Sequence, residues 1–139
     1  MELKVGVVGS CPPTVFDEDA AKRAIVEAYD AIANEYPDRQ ITIVSGLTNV
    51  GILALAYAEA AKRGWRTVGI TSKKALTYDC FPVDESQIVG EDWGDESPTF
   101  VACIDVIIRI GGGKQSHAEV ALIKEAGKPV YEYDIPILG

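Results

Sequence analysis

The sequence predicts a doubly wound α/β domain: a single, mainly parallel sheet of about five strands in the order 3-2-1-4-5, with helices on both faces. Three observations predict it. Five short, nearly continuous runs rich in β-branched residues, Leu3–Val8, Ile41–Val44, Thr67–Thr71, Asp105–Ile110 and Val130–Tyr133, are bounded by Gly, Ser or Pro, as strands buried on both faces are. Helical patterns lie between them. The connections are short, and 139 residues is the size of one domain, here spanning 1–139.

In the first helical pattern Ile25, Ala28, Tyr29, Ile32 and Tyr36 recur three and four residues apart, behind Asp17 as N-cap and ahead of Pro37-Asp38. The second carries Val50, Leu53, Ala54, Tyr57 and Ala61 on one stripe and stops at Gly64, where a left-handed cap is needed. Between Lys73 and Asp95 the chain is irregular and acidic, a lid or surface insertion with room for a short strand at Gln87–Val89. Ser97-Pro98 reads as an N-cap followed by proline, starting a short helix through Thr99–Ile104. Ser116–Ala126 forms the last helix, capped by Gly127, with Pro129 leading into the final strand.

Composition narrows the function. Thirteen Lys and Arg against 21 Asp and Glu give a net charge of −8, an acidic surface that repels phosphate backbones and argues against a nucleic-acid partner. Apolar runs fall well short of the roughly 20 residues of a membrane helix, and Met1-Glu2-Leu3-Lys4 runs straight into a strand-like segment rather than a signal peptide. A cytoplasmic protein with no membrane partner is expected. Cys11, Cys80 and Cys103 form no CxxC pair and are odd in number, which fits a reducing compartment; with His117 as the lone histidine, no metal site is expected.

In an open doubly wound sheet, ligands bind at the carboxyl ends of the strands, where the strand order reverses. The loops there are Gly9-Ser10-Cys11 after the first strand, Ser45-Gly46-Leu47-Thr48-Asn49-Val50-Gly51 after the second, and Gly111-Gly112-Gly113-Lys114-Gln115-Ser116 after the fourth. Three glycines before a helix let backbone amides approach an anion, and the helix dipole favours negative charge there, so a ligand phosphate fits, with Lys114 adding a point charge. A tight strand-to-helix turn is the bland alternative. Better-known phosphate motifs fail: Gln115 stands where a Walker A loop needs Ser or Thr, and Gly6-Val7-Val8-Gly9 is not GxGxxG.

Glu119 is the acid best placed for chemistry, but Ser116-His117-Ala118-Glu119 also reads as a capping box in which the carboxylate serves the helix start. Both readings stay open. A Cys11–His117 thiolate–imidazole pair is geometrically conceivable but has no third, orienting residue. Trp93, between Asp92 and Gly94, can stack on a base at the pocket mouth or sit at the edge of the core.

With Gly9-Ser10 and the second-strand loop, Gly111-Gly112-Gly113-Lys114-Gln115-Ser116-His117-Ala118-Glu119 resembles the signature loops of the LOG/SLOG superfamily, which includes the lysine decarboxylase-like phosphoribohydrolases and the molybdenum cofactor carrier proteins. Against that family's PGGxGTxxE, Gly112 and Gly113 match the phosphate-cradling glycines, Ser116 the threonine and Glu119 the glutamate. The departures are Gly111 for proline, Gln115 for the third glycine, Gly46-Leu47-Thr48 for a GGG, and the neighbourhood of Glu96 where the hydrolases carry arginine. Glu119 with Gly127-Lys128-Pro129-Val130 is also similar to the nucleoside deoxyribosyltransferases. The resemblance implies a small protein binding a nucleotide or nucleotide-derived ligand, with no required cofactor beyond a bound nucleotide or phosphate, and a homodimer or higher homo-oligomer. Its alternative is an N-glycosidic enzyme using Glu119 as nucleophile or electrostatic stabiliser; the opposite charge near Glu96 favours binding.

Overall fold

The computed structural model describes residues 1–138. In chain order the elements are β1 (Glu2–Gly9), α1 (Glu18–Glu35), β2 (Gln40–Ser45), α2 (Gly51–Lys62), β3 (Arg66–Thr71), a 3-10 turn (Lys73–Thr77), β4 (Glu85–Ile88), α3 (Ser97–Cys103), β5 (Val106–Ile110), α4 (Lys114–Glu125) and β6 (Val130–Tyr133). All pairings are parallel, and the sheet runs β4-β3-β2-β1-β5-β6.

The α/β class is as expected, but the sheet has six strands rather than five. The five expected strands keep their expected order, and β4 adds to the free edge of β3, pairing Val68 with Glu85 through Thr71 with Ile88. All four β4 residues are exposed, so the strand has no apolar face to announce it. Backbone pairing and the Arg66–Glu85 ion pair at 2.8 Å hold it.

Side chains on β1 alternate between two cores, as a pleated strand requires. Val5 and Val7 join Ile25, Tyr29, Ile52 and Tyr57 under α1 and α2. Val8 faces the other way, with Phe100, Ile104, Val120 and Ile123 of the α3 and α4 side. Asp17 caps α1 as its position implies, its carboxylate accepting from Ala20 N at 3.0 Å. Gly64 and Gly127 take positive φ just beyond α2 and α4.

Tyr57 ties the loop after β2 to this core. Its buried hydroxyl accepts from Leu47 N at 3.1 Å and donates to the Val68 carbonyl at 2.9 Å, fixing Leu47 at a φ of 75° that non-glycine residues rarely adopt. Tyr57→Phe leaves a buried donor and a buried acceptor without partners, so a loss of about 1–3 kcal/mol is expected in urea unfolding. An unchanged midpoint would mean that the loop relaxes to find other partners.

Candidate functional site

β1 lies between β2 and β5, so the loops leaving these three strands meet at the point where the strand order reverses. A cavity of about 870 Å³ opens there. A smaller, open hollow of about 480 Å³ beside Trp65 and Arg66 lies at the start of β3, away from these loops.

Gly9, Ser10 and Cys11 line the cavity from β1, and Ser45, Gly46 and Thr48 from β2. From the β5–α4 side come Gly112, Gly113, Lys114, Gln115, Ser116 and, one turn on, Glu119. Three residues expected at the site do not line it. Asn49 is exposed and holds the Asp79 segment, its amide donating to Asp79 O at 2.8 Å and its Nδ2 to Asp79 Oδ2 at 3.3 Å. Gly51 lets α2 approach the first loop: a Cβ there would stand 2.5 Å from Ser10 O and 2.6 Å from Cys11 Cα. Gly111 turns the chain at φ 64°, packed against the Ser10 hydroxyl, so its part is the turn itself.

Ser10 locks the glycine turn in place. Its backbone N–H donates to Ile110 O at 3.1 Å, while its hydroxyl accepts from Gly112 N at 2.8 Å. Gly112 has a φ of 100°, and α4 begins immediately after Gly113. Gly113 is thus the N-cap, and lacking a side chain it caps nothing, so first-turn amides of α4 are left without an acceptor at the cavity edge.

This start corrects the capping-box expectation. With the helix beginning at Lys114, Ser116 is already its third residue and Glu119 lies in the second turn, too far along to serve the end. Glu119 Oε2 instead accepts from Ser97 Oγ at 2.8 Å. The expected Ser97 N-cap is displaced too: Glu96 occupies the cap position of α3, and the Ser97 hydroxyl is committed to Glu119.

Glu96 completes a linked array. Its Oε1 accepts from Gln115 Nε2 at 3.2 Å and its Oε2 from Gly94 N at 3.1 Å, while Gln115 Nε2 also reaches Ser97 Oγ at 3.4 Å. Both carboxylates are about 94% buried and both line the cavity. Burial pushes the Glu119 carboxyl above its ordinary range; the bonds from Ser97 and Gln115 oppose the rise and the nearby Glu96 charge adds to it.

A carboxyl whose folded-state value is raised contributes stability that is full below its unfolded value and lost as the pH rises through the folded value. Ionisation of Glu119 in the folded protein therefore costs stability. Glu119→Gln keeps an acceptor for Ser97 and is expected to melt at a higher temperature than the parent at pH 7, the difference closing as the pH falls towards the ordinary carboxyl value of about 4.5. A lower melting temperature at pH 7 would show that the charge itself stabilises the fold.

The Cys11 thiol is pushed up by partial burial, away from the thiolate a nucleophile needs, and His117 is exposed and does not line the cavity. No Cys–His pair forms here. Sequence reasoning missed Glu96 and Tyr78 as cavity residues, and Ser97 as the partner that holds Glu119 there; the family resemblance drew attention to the neighbourhood of Glu96 alone. Among the described residues, no cluster of three or more His, Cys, Asp or Glu is arranged to hold a metal ion, and no helix is long and apolar enough to cross a membrane.

The profile of the SLOG cluster4 family matches residues 2–136, nearly the whole chain. The chain belongs to the SLOG cluster4 family. No curated protein matches the sequence. Among solved structures, this SLOG chain is similar to the molybdenum cofactor binding protein from the phototrophic bacterium Rippkaea orientalis, with 25% identity and a TM-score of 0.76 over 96% of this chain and 77% of that one. It also shares its fold with the molybdenum cofactor carrier protein of Chlamydomonas reinhardtii, with 23% identity and a TM-score of 0.72 over 95% of this chain and 76% of that one.

Proposed function

We propose that this SLOG protein binds a phosphorylated, nucleotide-derived small molecule and releases it unchanged. The observation that carries the reading is the uncapped start of α4. Gly113 supplies no capping side chain, first-turn amides face the cavity edge, and the helix dipole and Lys114 both favour an anion there. Ser10 fixes the turn before any ligand arrives. The likeness to proteins described as binding or carrying the molybdenum cofactor supports a carried ligand over a consumed one.

One observation favours a second reading. Glu119 is free of any capping duty, buried, and lines the same cavity, so it is available to an anomeric carbon as nucleophile or as stabiliser of an oxocarbenium-like transition state. Glu96 adds negative charge beside it, where a phosphate-binding arginine would serve hydrolysis.

Isothermal titration with nucleoside monophosphates and the matching nucleosides, followed by chromatography for free base, tests both. Monophosphates binding more tightly than nucleosides, with no base released, is the expected outcome. Base released by the parent and not by Glu119→Gln would replace carriage by N-glycosidic chemistry. Absence of any binding would overturn both readings. The three free cysteines support a reducing, cytoplasmic setting, and the family resemblance supports a homodimer; light scattering showing only a 14.9 kDa monomer would overturn the dimer.

A further inference from the structure

The cavity mouth carries two large aromatic side chains exposed without an evident structural purpose. Tyr78 and Trp93 retain 55% and 46% of their surface, and both line the cavity. Their ring centroids lie 5.9 Å apart at an interplanar angle of 48°. They come from two separate stretches of the β3–α3 connection, clipped together by the ion pairs Lys73–Glu91 at 2.9 Å and Lys74–Asp92 at 3.0 Å and by Lys73 N donating to Gly90 O at 3.0 Å. The other tryptophan, Trp65, packs on Tyr29 with ring centroids 5.0 Å apart.

Behind this pair stands the Glu96–Gln115–Ser97–Glu119 array, whose donors are spent internally. The Ser97 hydroxyl donates to Glu119, and Gln115 Nε2 donates to Glu96 with a longer contact to Ser97. The Ser97 bond falls on Glu119 Oε2, one of the two oxygens of a carboxylate that lines the cavity. The wall therefore offers acceptors and negative charge, which repel a second anion and attract N–H donors. Beside it, an aromatic face gives a planar ring a stacking surface.

We propose that the ligand carries, at the end opposite its phosphate, a planar nitrogen heterocycle bearing amide and exocyclic amino N–H groups, stacked on Trp93 and Tyr78 and hydrogen-bonded to the Glu96–Glu119 wall. This rests on the phosphate-binding reading above and adds the class of ring. Ribose hydroxyls are donors too, so the test separates ring from sugar.

The probes are GMP, IMP, which lacks only the exocyclic amino group, and ribose 5-phosphate, which lacks the ring. Trp93 emission and calorimetry are the readouts. GMP is expected to quench Trp93 and to bind at least about tenfold more tightly than IMP, as one lost hydrogen bond to a charged acceptor implies. Trp93→Ala and Tyr78→Ala are each expected to weaken GMP by about tenfold and ribose 5-phosphate by less than about twofold. Glu96→Gln is expected to remove the preference for GMP over IMP. Both aromatic positions are exposed, and an unchanged melting temperature shows that each variant is folded. Equal affinity for GMP and IMP, or GMP binding untouched in both aromatic variants, overturns the inference and leaves phosphate binding standing. Ribose 5-phosphate binding without GMP binding has the same meaning. If neither binds, the phosphate reading fails and the ring assignment with it.

Discussion

Gly113→Asp is expected to abolish binding of a phosphorylated ligand while leaving the protein slightly more stable. Gly113 is the N-cap of α4, with φ −111° and ψ −153°, a conformation open to ordinary residues. A Cβ built there meets no heavy atom within 4 Å, so the new side chain has room. Aspartate is among the best N-cap residues, and its carboxylate accepts from the first-turn amides that glycine leaves free. The gain over glycine is a few tenths of a kcal/mol from the cap, with about 0.3–1 kcal/mol more from the helix dipole.

Those amides are the ones proposed to hold the ligand phosphate. Filling them removes hydrogen bonds worth roughly 1.5–3 kcal/mol each when one partner is charged, and sets a carboxylate against the incoming anion. Together about 3 kcal/mol or more of binding is lost, a weakening beyond about a hundredfold. Gly113→Ala serves as control, since it adds a Cβ and no acceptor. A Gly113→Asp protein that melts higher and no longer binds nucleoside monophosphates would separate the helix start as a binding device from the helix start as a structural one. Retained affinity would place the phosphate elsewhere in the cavity.

That glycine was conspicuous in the sequence, and the reason extends to most of the fold. β1, β2, β3 and β5 are buried on both faces, so their sequences are near-continuous apolar runs that no other environment explains. Asp17, Gly64 and Gly127 mark helix ends through chemistry that is local to the chain. β4 was legible only as room for a short strand at Gln87–Val89, two residues late in its start, because Glu85, Ser86 and Gln87 bury nothing and their pairing with β3 depends on a free sheet edge rather than on their own side chains. Glu119 was legible as special but ambiguous, because a capping box and a cavity carboxylate share one spacing; the start of α4 at Lys114, which puts Glu119 in the second turn, removes the capping box. Tyr78 and Trp93 are 15 positions apart, and the ion pairs and the Lys73 N–Gly90 O bond bridging their two stretches bring them to one mouth. Local patterns can be read along the chain, whereas convergence of distant segments cannot.

Gly9→Ala is expected to cost about 3 kcal/mol or more, a large share of the 5–15 kcal/mol that holds a typical domain together. Gly9 ends β1 directly beside Ile110 of β5. An added Cβ falls on the Ile110 carbonyl oxygen and lies 2.8 and 2.9 Å from the two γ-carbons of Ile52, which is fully buried. Backbone cannot swing aside as a side-chain tip does, so the ends of β1 and β5 must part. The same carbonyl accepts from Ser10 N, and that bond is lost as the strands separate. Overpacking of this kind costs about 1–3 kcal/mol, and a buried donor left unpaired about 1–3 kcal/mol more. Ser10 then moves, and with it the hydroxyl that accepts from Gly112 N and sets the glycine turn. Urea unfolding is expected to show a lower midpoint at unchanged slope, and calorimetry weaker phosphate binding in whatever fraction remains folded. A midpoint shift equivalent to less than about 1 kcal/mol would show that β1 can slide against β5, and that the turn at Gly111–Gly113 is positioned by α4 rather than by Ser10.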